Sequence, residues 1–264
     1  MSDIDSRRAS ASGLPGVSDL ELGRRAFRQR QTVRSIAISL ASTTLFAVVM
    51  WVVLSNAPGW EVARRTFFDP DYFAAALPFV FQGLLVNMQV LVFAVAGVAV
   101  FATVLASVRS LRGAVFFPLR FLAAAYTDLF RGTPFLIVIY LIGFGIPALG
   151  LTDQVIPYEI LGCVALVLTY SAYVAEVLRA GIEAVHPSQR LAARSLGLTH
   201  YQTLRQIVLP QALRKVTPAL MNDFVSMQKD VGLISVLGAM DAIRQAQVQV
   251  AATYNYTAYV AAGL

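Results

Sequence analysis

Apolar runs about as long as a lipid bilayer is thick constrain this chain more than any other feature. Residues 36–54, 79–108, 135–151 and 156–178 are almost free of ionisable side chains. About twenty such residues in a helix cross a hydrocarbon core of about 30 Å. A fifth full-length candidate, 213–237, is interrupted by charge. Composition agrees, with 57% hydrophobic and 14% charged residues, too apolar for an ordinary globular domain. The expected fold class is therefore an all-α, multi-span membrane protein.

Arginine placement orients the spans. Arg7, Arg8, Arg24, Arg25, Arg28, Arg30 and Arg34 precede the first run. If the spans alternate, Arg109, Arg112, Arg120, Arg131, Arg179, Arg190, Arg194, Arg205, Arg214 and Lys215 fall on the same side, and only Arg64, Arg65, Lys229 and Arg244 on the other. Basic residues are retained in the cytosol, so the N-terminus and 188–210 are expected inside. The basic tail reads as a topology signal rather than a nucleic-acid arm. The first run lacks a small-residue cleavage site, which points to an uncleaved helix and not a signal peptide. This divides the chain into a disordered cytosolic tail at 1–34, an additional span at 35–55, an aromatic-rich outer loop at 56–76 and a core at 77–264. Residues 257–264 begin a helix that rises only about 12 Å, so the chain is expected to stop inside its last span.

The polar insert 186–218 has the local grammar of two helices joined by a glycine. Ser188 is the expected N-cap of the first, Gly197 its left-handed C-terminal residue, and Thr199 with Gln202 a capping box for the second. A short, rigid helix pair is a good handle for an external motor. Upstream, Thr133 is expected to cap a helix that has Pro134 at its first position. Residues 113–130 either lie along the inner membrane face or begin a long tilted helix.

Ionisable groups inside spans are costly and by default functional. Glu176, Asp223, Lys229 and Asp230 qualify, with Asn87 and Gln89 as polar neighbours. Two readings stand for each. Glu176 either lines a pathway or pairs with Arg179 one turn on. Lys229 and Asp230 either bind a zwitterion or mark a helix end. No Gly-Lys-Ser/Thr phosphate loop is present, since Lys215 follows Arg214 and Lys229 follows Gln228. His186 and His200 are too isolated for a metal site, Cys163 reads as a small buried hydrophobe, and no nucleophile–base pairing suggests catalysis. No bound cofactor is expected.

The set Arg131-Gly132-Thr133-Pro134, Ala175-Glu176-Val177-Leu178-Arg179-Ala180-Gly181-Ile182, the 189–198 loop, Leu209-Pro210-Gln211-Ala212-Leu213 and Lys229-Asp230 resembles the permease subunits of ABC importers for polar amino acids, over roughly 77–264. The resemblance implies a type I importer core, preceded here by one extra helix, in a cell membrane. It also implies a second permease subunit, an extracytoplasmic binding protein and a separate ATPase that consumes the ATP. Residues 189–197 would be the coupling helix, with Ser188, Gln189, Arg190, Leu191, Ala192, Ala193, Arg194 and Gly197 meeting the ATPase. The pathway would draw on Asn87, Gln89, Glu176, Lys229 and Asp230. One departure stands out. The family's loop usually begins Glu-Ala-Ala, whereas this one reads Leu191-Ala192-Ala193, and Ser188 stands where glycine is common. Leu191 removes a charge and a capping-box carboxylate, which weakens the expected contact. The rival classes are a secondary transporter driven by an ion gradient, which calls for carboxylates and broken helices repeated in two halves, a membrane scaffold, and an ABC permease for another small polar solute.

Overall fold

The computed structural model describes residues 19–111, 113–150 and 156–264, and every element among them is helical. The chain forms two compact units that divide after Arg64. The first unit is dominated by α1 (Asp19–Ser55), whose segment Phe27–Ser55 is long and apolar enough to cross a membrane. Its large side chains, Leu45, Phe46 and Trp51 among them, are exposed, as lipid-facing residues would be. Near its end Trp51 meets Trp60 edge-on, with ring centroids 6.5 Å apart. The disordered tail expected to reach residue 34 is corrected for 19–34. That stretch is rich in Arg and holds Leu20, Glu21, Leu22, Gln29 and Gln31, all residues that propagate a helix from an adjoining one at little cost. Residues 1–18, with Arg7 and Arg8, and also Arg112, lie outside the described residues.

The expected outer loop is also largely helical. It holds α2 (Trp60–Phe67) and the first turns of α3 (Pro70–Arg109). Asp69 caps α3, its Oδ1 accepting from the amides of Asp71 at 3.0 Å and Tyr72 at 3.3 Å, and Pro70 takes the first helical position.

The second unit is built on α3 packed against α6 (Tyr158–Glu183). Alanines line the contact: Ala94, Ala102, Ala165, Ala172 and Ala175 are fully buried. Small side chains let helices approach closely where lipid supplies no hydrophobic drive between them. Large hydrophobics elsewhere on α3, such as Phe93 and Val100, point outward. Both helices pass the length and apolarity test for a span.

Two expected spans change character. Residues 135–151 do not form one by themselves. α4 (Phe117–Gly132) and α5 (Phe135–Tyr140), which continues through a π turn to Ala148, pass the test only together, across a 105° bend. Thr133 sits at the bend and does not cap α5; its hydroxyl donates back to Leu129 O at 2.8 Å. Residues 113–130 form a separate helix that starts with one 3-10 turn and ends at the bend, so they do not begin one long helix.

Residues 213–237 are likewise not one apolar span. After α7 (Pro187–Ser195) and α8 (His200–Thr203), α9 (Leu209–Asp230) carries Arg214, Lys215, Asp223, Lys229 and Asp230, and it gives way to a 3-10 segment, Val231–Leu237. Gly238, at φ +106°, then turns the chain into α10 (Ala242–Thr253), capped by Asp241, whose Oδ1 accepts from Arg244 N at 2.8 Å. Irregular backbone at this depth needs protein around it, and Val231, Ile234, Leu237, Ala239 and Asp241 are all buried. α11 (Thr257–Gly263) closes the unit by burying Ala258 and Ala261 against Ala76, Val80 and α10.

Gly83 is the point where α3 admits the start of α10. A Cβ there would collide with backbone, Ala242 N and the Asp241 carbonyl group. Gly83→Ala is therefore expected to cost about 1–3 kcal/mol, seen as a lower melting temperature of the detergent-purified chain at unchanged helix content. An unchanged melting temperature would mean that α10 yields freely.

Candidate functional site

The polar insert folds as a braced helix pair at the basic end of the second unit. α7 is too short to persist alone, so its ends carry the argument. Its N-cap is His186 and not Ser188. The His186 Nδ1 accepts from Ser188 N at 3.2 Å and meets Ser188 Oγ at 2.7 Å, while Pro187 takes the first helical position. The proline displaced the cap by two residues because its fixed φ and absent N–H suit that first position. Leu191 consequently does not occupy the capping-box site, which is Gln189.

The far end matches the sequence reading. Gly197 has φ +80°, with Leu198 N donating to Ala193 O at 3.2 Å and Gly197 N to Arg194 O at 3.0 Å. This is a Schellman closure. Thr199 and Gln202 then exchange bonds of 3.2 and 2.9 Å as a reciprocal capping box. α8 continues through a π turn, Leu204–Val208, into α9. Pro210 has no N–H and crowds the carbonyl four residues back; the wider turn relieves that, and the Gln211 side chain donates to Ile207 O at 2.9 Å.

α7, and α9 where it follows the pair, are fastened to the end of α6. Arg190 donates to Ile182 O at 2.7 Å and Lys215 to Ala184 O at 2.6 Å. Cations at a helix C-terminus satisfy orphan carbonyls and oppose the negative dipole end, each worth about 0.3–1 kcal/mol. Val185, Val208 and Ala212 form a small core beneath. Ala193 and Arg190 face inward, whereas Ser188, Gln189, Leu191, Ala192, Arg194 and Gly197 are exposed. Arg190 therefore holds the pair in place instead of presenting itself outward.

At the same end of the unit, Glu176 is clamped between two arginines. Its Oε2 lies 2.6 Å from Arg109 of α3 and its Oε1 2.5 Å from Arg179. Arg109 also donates to Thr127 of α4 at 2.9 Å, and Arg179 reaches Glu183 at 2.5 Å. Three helices are tied together at this level. The pairing reading of Glu176 is the one seen, enlarged by Arg109, whose proximity no spacing rule could reveal.

The other polar candidates separate. Asn87 Oδ1 accepts from Ala242 N at 3.3 Å and so positions α10, while Gln89, two residues on, is exposed on another side of α3. Asp230 accepts from the Tyr170 hydroxyl at 2.8 Å at the end of α9, but Lys229 is exposed and has no ion pair among the described residues. The structure instead places Asp230 beside Tyr170 and Tyr173, which the sequence reading did not single out. Tyr170 and Tyr173 lie one turn apart on α6, with rings 6.1 Å apart. Arg131 stands over the Tyr173 ring at 5.9 Å, and Asp223 is partly buried on α9. The only sequence signal for the two tyrosines was their three-residue spacing beside Glu176.

Comparisons with known proteins bear on what such a unit is. The family model described as "Binding-protein-dependent transport system inner membrane component" matches residues 110–264. The arginine transport system permease protein ArtQ of Bacillus subtilis is 34% identical over 185 residues, covering 68% of this chain and 80% of that protein. A putative glutamine transport system permease protein GlnP of Rickettsia conorii is 38% identical over 179 residues, covering 67% and 79%. A chain in a crystal structure of an amino acid ABC transporter with histidines superposes with a TM-score of 0.64 at 35% identity, covering 70% of this chain and 85% of that one. With its apolar spans and this match over more than half its length, the chain is a multi-pass membrane transport component that belongs to the family of binding-protein-dependent transport system inner membrane components.

Proposed function

We propose that this chain is the permease subunit of an ATP-driven importer of polar amino acids, the class of solute named for its relatives. It is not itself an enzyme and binds no cofactor; a separate ABC ATPase docks on α7 and hydrolyses ATP. A second permease subunit, identical or related, completes the pathway, and an extracytoplasmic binding protein delivers cargo. The observation that carries this reading is the bracing of α7 by Arg190, and of α9 just after the pair by Lys215, onto the end of α6. A push on α7 enters the span as a rigid displacement. Ser188, Gln189, Leu191, Ala192, Arg194 and Gly197 form the contact surface, and Arg190 and Ala193 seat it. Residues 35–55 are an additional span before a permease domain at 77–264, and the N-terminus and α7 face the cytosol.

The pathway in this proposal runs along Tyr170, Tyr173, Arg131, Asp223 and Asp230. Carboxylates and a guanidinium on one stripe suit the ammonium and carboxylate of a zwitterion, and tyrosines supply hydroxyls within an otherwise apolar wall. Glu176 acts as the tie between helices and Asn87 as the support of α10, which leaves Gln89 and Lys229 as peripheral members.

Two measurements test the proposal. Proteoliposomes holding the permease, its ATPase and its binding protein are expected to take up labelled arginine or glutamine only with ATP; uptake driven by an ion gradient without the ATPase would reject it. In sealed cells with Cys163→Ala, an impermeant thiol reagent is expected to label Arg64→Cys and not Arg194→Cys. The reverse pattern overturns the orientation.

A further inference from the structure

The surface of the helix pair has one sign of charge. From Ala184 to Asn222 the chain contains no Asp or Glu, while Arg190, Arg194, Arg205, Arg214 and Lys215 fall within it. The structure sorts these cations by use. Arg190 and Lys215 are occupied with the α6 carbonyls. Arg194, Arg205 and Arg214 are exposed and have no ion pair among the described residues.

Large apolar side chains stand beside them. Leu191 is 62% exposed, Leu196 82% and Tyr201 67%. On α7, Leu191 and Arg194 are one turn apart and share the outward side, opposite buried Ala193. Single exposed leucines are ordinary. Two leucines and a tyrosine concentrated on a capped and braced helix pair, among cations and small neutral residues with no carboxylate between them, form a surface shaped for a partner. A lipid surface fits less well. A membrane-surface helix lays a continuous apolar face in the interface, whereas α7 exposes a single large hydrophobic, Leu191.

We infer that this surface docks on a protein groove with an apolar floor and an acidic rim, and that Leu191 is its apolar anchor. The inference rests on the proposed docking of the ATPase at α7 and specifies the polarity of that contact. Where a glutamate would seek a basic partner residue, Leu191 enters the floor while Arg194, Arg205 and Arg214 meet carboxylates at the edge. Rim charges of this kind set encounter rate and register, whereas a desolvated apolar anchor holds the complex together. The weakened contact expected from the loss of the glutamate thus becomes a contact of different chemistry.

The test uses the full chain in detergent with the ATPase subunit that purifies with it from its native membrane, and reads their dissociation constant across a salt series. Leu191→Glu is expected to weaken association about tenfold or more, with Leu191→Met within about threefold of the parent, since volume and apolarity are kept. Arg194→Glu combined with Arg205→Glu is expected to weaken binding at low salt and flatten its salt dependence. Melting curves show whether each variant is folded, and Leu196→Glu is a second probe of the floor if Leu191→Glu is not. Tighter or unchanged binding by Leu191→Glu, or by Leu196→Glu in its place, overturns the inference. So does loss of binding to anionic-lipid vesicles with ATPase affinity intact. Equal ATPase affinity for the parent and for Ala193→Pro, which disrupts α7 itself, would instead reject docking at α7 altogether.

Discussion

Ala193→Pro is expected to abolish ATP-driven uptake while leaving the permease folded in the membrane. Ala193 is 3% exposed, in the middle of α7, and its carbonyl accepts Leu198 N in the closure at Gly197. A proline there removes the amide, places its ring against the preceding turn and costs about 3 kcal/mol or more. α7 has only nine residues, and a helix that short has no reserve against such a loss. The damage stays local because the core between α3 and α6 lies elsewhere. Uptake in reconstituted vesicles should fall by more than about tenfold, in keeping with a loss of that size, while the melting temperature moves little. Uptake near the parental rate would show that force does not enter through α7.

Glu176→Ala should have the largest effect on stability. The substitution leaves Arg109 and Arg179 facing one another with side chains only 15% and 27% exposed. Removing one member of such a cluster strands the others, at a cost of roughly 3 kcal/mol. Melting in detergent should drop by several degrees. Glu176→Gln, which keeps the shape and some hydrogen bonding, should lie between it and the parent. Glu183→Ala is the internal control, because that carboxylate is 63% exposed and its pair with Arg179 is largely screened. If Glu176→Ala and Glu183→Ala cost the same, the three-helix tie through Arg109 and Thr127 is not a stabilising unit.

Where sequence reading succeeded, the physics was local. The Schellman closure at Gly197 and the capping box of Thr199 and Gln202 were legible because each involves groups within five residues of one another. The caps at Ser188 and Thr133 were misplaced for a local reason too. Pro187 precedes Ser188 and takes the first helical position behind His186, and Pro134 is itself the N-cap residue in place of Thr133. The ion pair of Glu176 with Arg179 was readable as an i,i+3 contact. Its third member, Arg109, was not, because it lies 67 positions away along the chain.

Sequence alone determined the material of this protein: all helical, apolar enough to live in lipid, with a capped polar insert and a recognisable order of motifs. Those properties follow from side-chain periodicity and transfer free energy, which each segment carries by itself. Only the tertiary structure decided which apolar runs are whole spans, that Val231–Leu237 is irregular backbone sheltered by its neighbours, and that Asp230 belongs with Tyr170 and not with Lys229. Those outcomes depend on which helices pack together. In lipid, packing is chosen by close fit between small residues and by partners for buried polar groups, and both are properties of pairs that no single segment contains.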